Sequence, residues 1–456
     1  MQIKIKNTKL FLAAIFVLCT GSQLFSYGGN TAIAPLLTAI GGYEFYSLVA
    51  PLGATGMMVA LPAVAALGRK IGSKTVLFLG AFLMLFGRVG MQFANSVFTI
   101  GLFNFLGSFG SGFVITAPFV MIGTAFERSA SIKYYGYIAT FNAIGSLIGP
   151  LAGMLVDVNL PRISFLIWIP LYVFSLIAIG MLYPNSKSQS KEKFDVTGWL
   201  YLAIMVFAFV MWTGLSGKVF PWLSFGLLLP VAVAVFAWLL VRHSGRIANP
   251  TVPIRVFQYK RFRTAFFSNC CVVVFSTCAS GYLLNYLLYV MNTSATLGST
   301  TTIPSTIVIT ILGLFLGKIL AKNFAKNVRT MTIIGSFCTF GALLCFALLQ
   351  STSSILQVWI GSALGGVGNA ISQTCLTPYF QYGLPTEEYG PAQGMYQFSS
   401  TCMATIFVAV VGVLVGVTGD LKYVFYTGLI VTFINVLICL TSIRIRPDEV
   451  IETTGA

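Results

Sequence analysis

Of the 456 residues only eleven are acidic and one is histidine, so few groups are available for acid–base or metal chemistry. The acids are Glu44, Glu127, Asp157, Glu192, Asp195, Glu387, Glu388, Asp420, Asp448, Glu449 and Glu452, and each falls in a loop, a tail or at the end of an apolar run. No nucleophile has a base at hand, and no His, Asp or Glu cluster has the spacing of a metal site. The nine cysteines sit almost wholly in apolar runs and read as small buried hydrophobes. No G-x-x-x-x-G-K-[ST] segment would cradle a nucleotide phosphate. An enzyme, a metal site, a cofactor and an ATP-driven pump are therefore not expected. His243 reads as a solvated loop residue.

What remains is a set of neutral hydrogen-bonding side chains inside apolar runs: Gln23, Tyr27, Asn30, Asn104, Asn142, Asn269, Asn285, Tyr286, Asn369, Gln373, Tyr396 and Gln397. Such groups suit a path for an uncharged or amphipathic organic molecule, held by apolar contact and oriented by a few hydrogen bonds. Each would serve equally well as glue between helices. Arg88 is the one charge well inside an apolar run, and it reads as a side chain snorkelling to the outer face.

These residues need membrane helices to position them. The chain is 57% hydrophobic and 8% charged, against about a quarter charged for a soluble protein. Apolar runs of spanning length lie near 10–38, 45–67, 75–93, 97–124, 134–156, 163–183, 197–216, 221–241, 264–291, 299–317, 330–349, 355–379, 391–416 and 423–443. The first is read as a span and not a cleaved leader, because its apolar character continues without a small-residue cleavage site. With fourteen spans and both termini cytoplasmic, 23 of the 27 Lys and Arg fall on cytoplasmic segments; Arg162, Lys218 and Lys422 lie outside and Arg88 lies within a span. A net charge of +16 is thus a topology signal rather than a nucleic-acid surface.

The expected fold class is an all-α integral membrane protein with 14 transmembrane helices, two six-helix bundles plus a two-helix insert. The domains would be residues 1–183, the first bundle; 184–262, cytoplasmic linkers and the insert; 263–444, the second bundle; and 445–456, a cytoplasmic tail. Six-helix repeats of this kind are a known plan of secondary transporters. Two basic segments at corresponding places, Ala65–Val76 and Gly317–Val328, weakly support the repeat.

The fifth span ends NAIGSLIGPLAGMLVD, Asn142–Asp157, with Gly145, Gly149 and Gly153 on one face and Pro150 behind the second. A glycine face permits close helix approach, and Pro150 leaves the carbonyl of Ser146 without its helical donor and bends the helix. Further close-approach glycines are Gly107, Gly110 and Gly112; Gly361, Gly365, Gly366 and Gly368; and Gly412 and Gly416.

Gly145–Gly153 resembles the helix-5 antiporter motif of the major facilitator superfamily, specifically its fourteen-helix drug:proton antiporter branch. Asp157–Pro170 and Asn249–Phe262 are similar to that branch's patterns after the motif and at the entry to the second bundle. The resemblance implies multidrug efflux by alternating access, with proton antiport. In the cytoplasmic hinge, Leu67, Gly72 and Lys74 fit the family pattern beside Lys70, while Arg69 stands where the family has Asp and Ala65 where it has Gly. Asn104 takes the place of an Arg that the branch carries in helix 4 for proton handling, and Leu24–Pro35 lacks the branch's helix-1 Asp. The nearest carboxylate for coupling is Asp157, at the end of the motif helix.

Three functions follow as expectations: export of small hydrophobic or amphipathic compounds; an uncoupled or differently coupled facilitator or importer on the same fold, motivated by the missing acids; and a non-transporting membrane sensor. The expected setting is a prokaryotic cell (inner) membrane. The expected partners are a small-molecule substrate, the lipid bilayer and protons, but no nucleic acid, for a monomeric protein.

Overall fold

The computed structural model describes residues 5, 7–42, 45–154, 168–184, 194–216, 221, 225–247, 250–293 and 300–445, the side chains of 27, 30, 31, 34, 35, 47, 48, 65 and 149–154 excepted. Asp157 and most of the stretch to Pro170 fall outside this set. The helices are α1 (Thr8–Ala39), α2 (Tyr46–Ile71), α3 (Ser73–Phe93), α4 (Val97–Ala125), α5 (Arg128–Met154), α6 (Ile169–Leu182), α7 (Val196–Leu215), α8 (Leu228–Ser244), α9 (Lys260–Thr277), α10 (Leu283–Tyr289), α11 (Ile303–Lys322), α12 (Phe324–Ala347), α13 (Ile355–Gln381), α14 (Tyr389–Thr418) and α15 (Lys422–Ser442). A π turn, Cys278–Tyr282, joins α9 to α10.

Ten described helical stretches are long and apolar enough to cross a membrane, among them Val97–Ala125 and Lys260–Tyr289, and Val49–Val64, Ile169–Leu182 and Leu228–Ser244 are shorter apolar helices. Helices suit that environment because every backbone group finds its partner within the segment. Large apolar side chains such as Phe82, Phe98, Phe174, Leu228 and Ile430 point outward, as lipid-facing positions do. Among the described residues the secondary structure is helical throughout, with the lengths and apolar composition of membrane spans.

The chain forms two compact units. One contains residues 1–126, 148–258 and 386–401; the other contains 127–147, 259–385 and 402–456. In the first, α4 packs along α2 and α3, and α1 lies on α4 and α6. In the second, α13 packs along α11 and α12, and α9 lies on α13 and α15. The two units therefore repeat one packing scheme. Helix α7 joins the first unit: Trp199 packs with Phe194 against Ala60, Ala63, Val64, Val76 and Phe113, and its indole donates to the carbonyl of Val59 at 3.1 Å. The second unit has an apolar core around Phe275, Leu283, Tyr286, Phe346 and Phe425.

Close backbone approach recurs in both units. A Cβ on Gly110 would overlap the backbone of α3, and one on Gly368 would lie 2.5 Å from the carbonyl of Gly335. Along α5, a Cβ on Gly136 would sit 2.6 Å from the carbonyl of Gly313, and one on Gly317 would sit 2.9 Å from that of Lys133. Gly313-Leu-Phe-Leu-Gly317 is a G-x-x-x-G run, the spacing that lets two helices approach closely. By contrast, a Cβ on Gly412 or Gly416 would meet nothing within 4 Å. The expectation of close approach there is corrected: these two glycines face open space.

Two helix pairs are joined by a single residue. Gly72 ends α2 and begins α3 at φ +89°, ψ 143°, a backbone region that is nearly glycine's alone. Asn323 does the same between α11 and α12 at φ −149°, its side chain accepting from the amide of Lys326 at 3.4 Å. Gly72→Ala should cost about 1–3 kcal/mol of stability, the range for a strained backbone position. Thermal unfolding in detergent will check this, and an unchanged melting temperature would refute the argument.

Candidate functional site

The first unit holds a buried polar cluster at the meeting of α1, α2, α3 and α4. Arg88 is 1% exposed. Its guanidinium donates through one terminal nitrogen to Oδ1 of Asn104 at 3.1 Å and through the other to Oγ of Ser108 at 3.2 Å. Asn104, itself buried, donates through Nδ2 to the carbonyl of Val49 on α2 at 3.0 Å. Arg88 therefore does not snorkel outward. It turns into the unit, which corrects the sequence expectation.

Four glycines explain the inward turn. Gly87 lies so close to Gly107 that a Cβ would overlap the α4 backbone, which lets α3 approach. A Cβ on Gly107 would meet Nε of Arg88 at 3.3 Å, one on Gly29 of α1 would meet the guanidinium carbon at 2.6 Å, and one on Gly53 of α2 would meet Oγ of Ser108 at 3.0 Å. The guanidinium occupies a slot made by missing side chains on its neighbours. A charge this deep in a span is normally functional; that rule was the available signal, outweighed in the sequence by distance along the helix.

The other polar candidates fall as follows. In the first unit Gln23 is half-buried, Tyr396 is buried and Gln397 is half-buried, its carbonyl accepting from Ser400 at 2.8 Å. The side chains of Tyr27 and Asn30 lie outside the described set. In the second unit Gln373 donates to Oδ1 of Asn369 at 3.1 Å, and Asn369 donates to Oγ of Ser276 at 3.4 Å. This half-buried ladder joins α13 to α9 two residues before the π turn. Tyr286 is fully buried in the apolar core and donates to the carbonyl of Leu349 at 3.0 Å. Asn285 is exposed and donates to the carbonyl of Gly281 at 3.3 Å. Asn142 and Asn269 are half-buried and Gly145 is buried, whereas Gly149, Pro150 and Gly153 are known only as helical backbone in α5. In the hinge, Leu67 packs on the α2–α3–α4 core, Lys70 is exposed, Arg69 is half-buried, and Lys74 donates to the carbonyl of Gly180 on α6.

A second cluster ties α7 to α8 at their polar ends. Asp195, the N-cap of α7, accepts from the amide of Gly198 at 2.8 Å and from the amide of Thr251 at 3.2 Å, and pairs with Nε2 of His243 at 2.8 Å. His243 is thus a packed helix-end residue rather than a solvated loop residue, a second correction. Burial pushes the Asp195 carboxyl up, but the hydrogen bonds from Gly198, His243 and Thr251 outweigh it and hold the group below its ordinary value.

A profile of the Major Facilitator Superfamily matches residues 16–407. The chain belongs to the Major Facilitator Superfamily. Among curated relatives, it is 20% identical over 409 residues to the multidrug transporter protein MdtP of Bacillus subtilis, covering 89% of this chain and 74% of that one. It is 24% identical over 368 residues to the multidrug resistance protein Stp of Mycobacterium tuberculosis, covering 78% and 66%. With multidrug resistance protein 3 of Bacillus subtilis, at 23% identity, the match covers 52% of this chain and 46% of that one, so the chain spans about half the length of that relative. A crystal structure of a bacterial homologue of the iron transporter ferroportin, in an outward-facing state with soaked iron, has the same fold: TM-score 0.63 at 12% identity, over 95% of this chain and 98% of that one.

Within this superfamily Asn104 stands where a helix-4 Arg is expected by resemblance, and Arg88 donates directly to it. Asn104→Leu would strip the guanidinium of one acceptor and should cost about 2–3 kcal/mol, the range for a hydrogen bond to a buried charge; Asn104→Asp, which keeps an acceptor, should be better tolerated. Melting temperatures of the two variants in detergent decide this, and equal values would refute it. For Asp195, whose folded pKa is depressed, the stabilisation is present above the unfolded carboxylate value of about 4 and is lost as pH falls through the folded value. Asp195→Ala should therefore cost about 1–2 kcal/mol near neutral pH, as loss of an N-cap does, with the difference from wild type shrinking in acid.

Proposed function

We propose that this superfamily member is a secondary transporter that moves small hydrophobic or amphipathic organic compounds out of the cell by alternating access. The observation that carries the reading is the similarity, over 89% and 78% of this chain, to proteins named as multidrug transport and resistance proteins, on a scaffold whose spans offer amides and aromatic rings rather than charged pairs. In this reading the chain crosses the membrane fourteen times with both termini cytoplasmic, works as a monomer, and rocks two six-helix bundles about the glycine-bearing face of α5. The repeated packing scheme of the two units and the ten long apolar helices support that plan. The polar candidates, Asn369 and Gln373 foremost, would orient the substrate.

Proton antiport is implied by the family, with Asp157 as the coupling carboxylate. A second reading, an uncoupled or differently coupled facilitator or importer, is favoured by one observation: no Asp or Glu lies within α1–α15.

Reconstitution in liposomes with a panel of organic compounds, under a pH gradient of either sign, separates these. Antiport predicts gradient-driven flux that Asp157→Asn abolishes. Flux indifferent to both gradients would establish the facilitator, and no flux for any compound would leave the sensor.

A further inference from the structure

The Arg88 cluster is electrostatically incomplete. Among the described residues its guanidinium is buried with neutral acceptors only, and Nε has no hydrogen-bond partner. One turn along the same face of α3, Gln92 is 1% exposed with both amide atoms unpartnered. A cluster built only to hold helices together would satisfy these atoms, because an unpaired buried polar group or charge is costly. Instead a positive charge with a spare N–H of the guanidinium and the spare N–H groups of an amide lie one helical turn apart on α3, both out of water. What completes such a set is an anion with lone pairs for both donors, and a guanidinium fork matches a carboxylate.

We propose that Arg88 and Gln92, with Arg88 braced by Asn104 and Ser108, form a seat for the carboxylate of an amphipathic organic anion. The proposal rests on the transport reading for how the ligand arrives, and it narrows the substrate class to monoanions with an apolar body. The braces engage two of the guanidinium's five N–H groups, and the Nε–H and Gln92 are the donors left to receive the ligand without breaking a brace. The seat is closed to water in this conformation, with Gly29 of α1 and Gly107 of α4 against the guanidinium, so a ligand enters only as these helices part.

The test uses the full chain purified in non-ionic detergent at neutral pH with sulfate as the only bulk anion. The probes are cyclohexanecarboxylate and its neutral isostere cyclohexanecarboxamide, read as half-saturation of the thermal shift. Wild type should prefer the carboxylate at least tenfold. Arg88→Gln should reduce the preference below twofold, and Arg88→Lys, which keeps the charge without the fork, should retain part of it. Gln92→Leu removes the two unpartnered atoms, so it should melt at or above wild type without ligand yet lose at least threefold in preference, which a purely structural residue would not do. It also decides the matter if Arg88→Gln does not fold.

No carboxylate preference in wild type, or full preference in Gln92→Leu, overturns the seat. Chloride protecting as well as the carboxylate overturns the organic assignment. Carboxylate preference without flux of any compound in liposomes would keep the seat and remove the transport reading; flux of neutral compounds without carboxylate preference would do the reverse.

Discussion

Inside a bilayer the apolar faces of helices gain little from leaving lipid, so helices adhere by how closely their backbones meet. This constraint governs the protein. Gly87 against Gly107, Gly110 against α3, Gly136 against Gly313 and Gly368 against Gly335 are backbone contacts that any side chain would abolish. The chain accepts the helix-propensity cost of these glycines, about 1 kcal/mol each relative to alanine, in exchange for packing that lipid cannot supply.

The same contacts create the chemistry. Missing side chains on α1, α2 and α4 leave a slot of the size of a guanidinium, and Arg88 fills it. The charge is then held by Asn104 and Ser108 rather than by a carboxylate. Polar groups elsewhere are used differently. Tyr286 and Leu349 pin an apolar core, while Ser276, Asn369 and Gln373 form a ladder beside the π turn, where the helix already departs from regular hydrogen bonding.

The positions of the helices were legible from runs of apolar residues, because spanning length and internal hydrogen bonding are properties of contiguous sequence. Gly72 was legible too, within its hinge pattern. The orientation of Arg88 was not, since it depends on Gly29, Gly53 and Gly107, carried on three other helices. His243 and Asp195 meet across 48 residues and take their meaning from that pairing. Gly412 and Gly416 show the converse: spacing alone marks a face that can be approached, not one that is.

The one-residue junction at Gly72 bears on all of this. With two rotatable backbone bonds between α2 and α3, the helices keep a fixed rotational phase, so the face that α2 turns to α4 dictates the face that α3 presents. Each residue advances a helix by about 100°. Adding one residue between Ile71 and Ser73 would dial Arg88 and Gln92 together away from Gly29 and Gly107 while leaving every helix intact. The junction acts as an indexing pin, and the charge at the centre of the first unit is set from its edge.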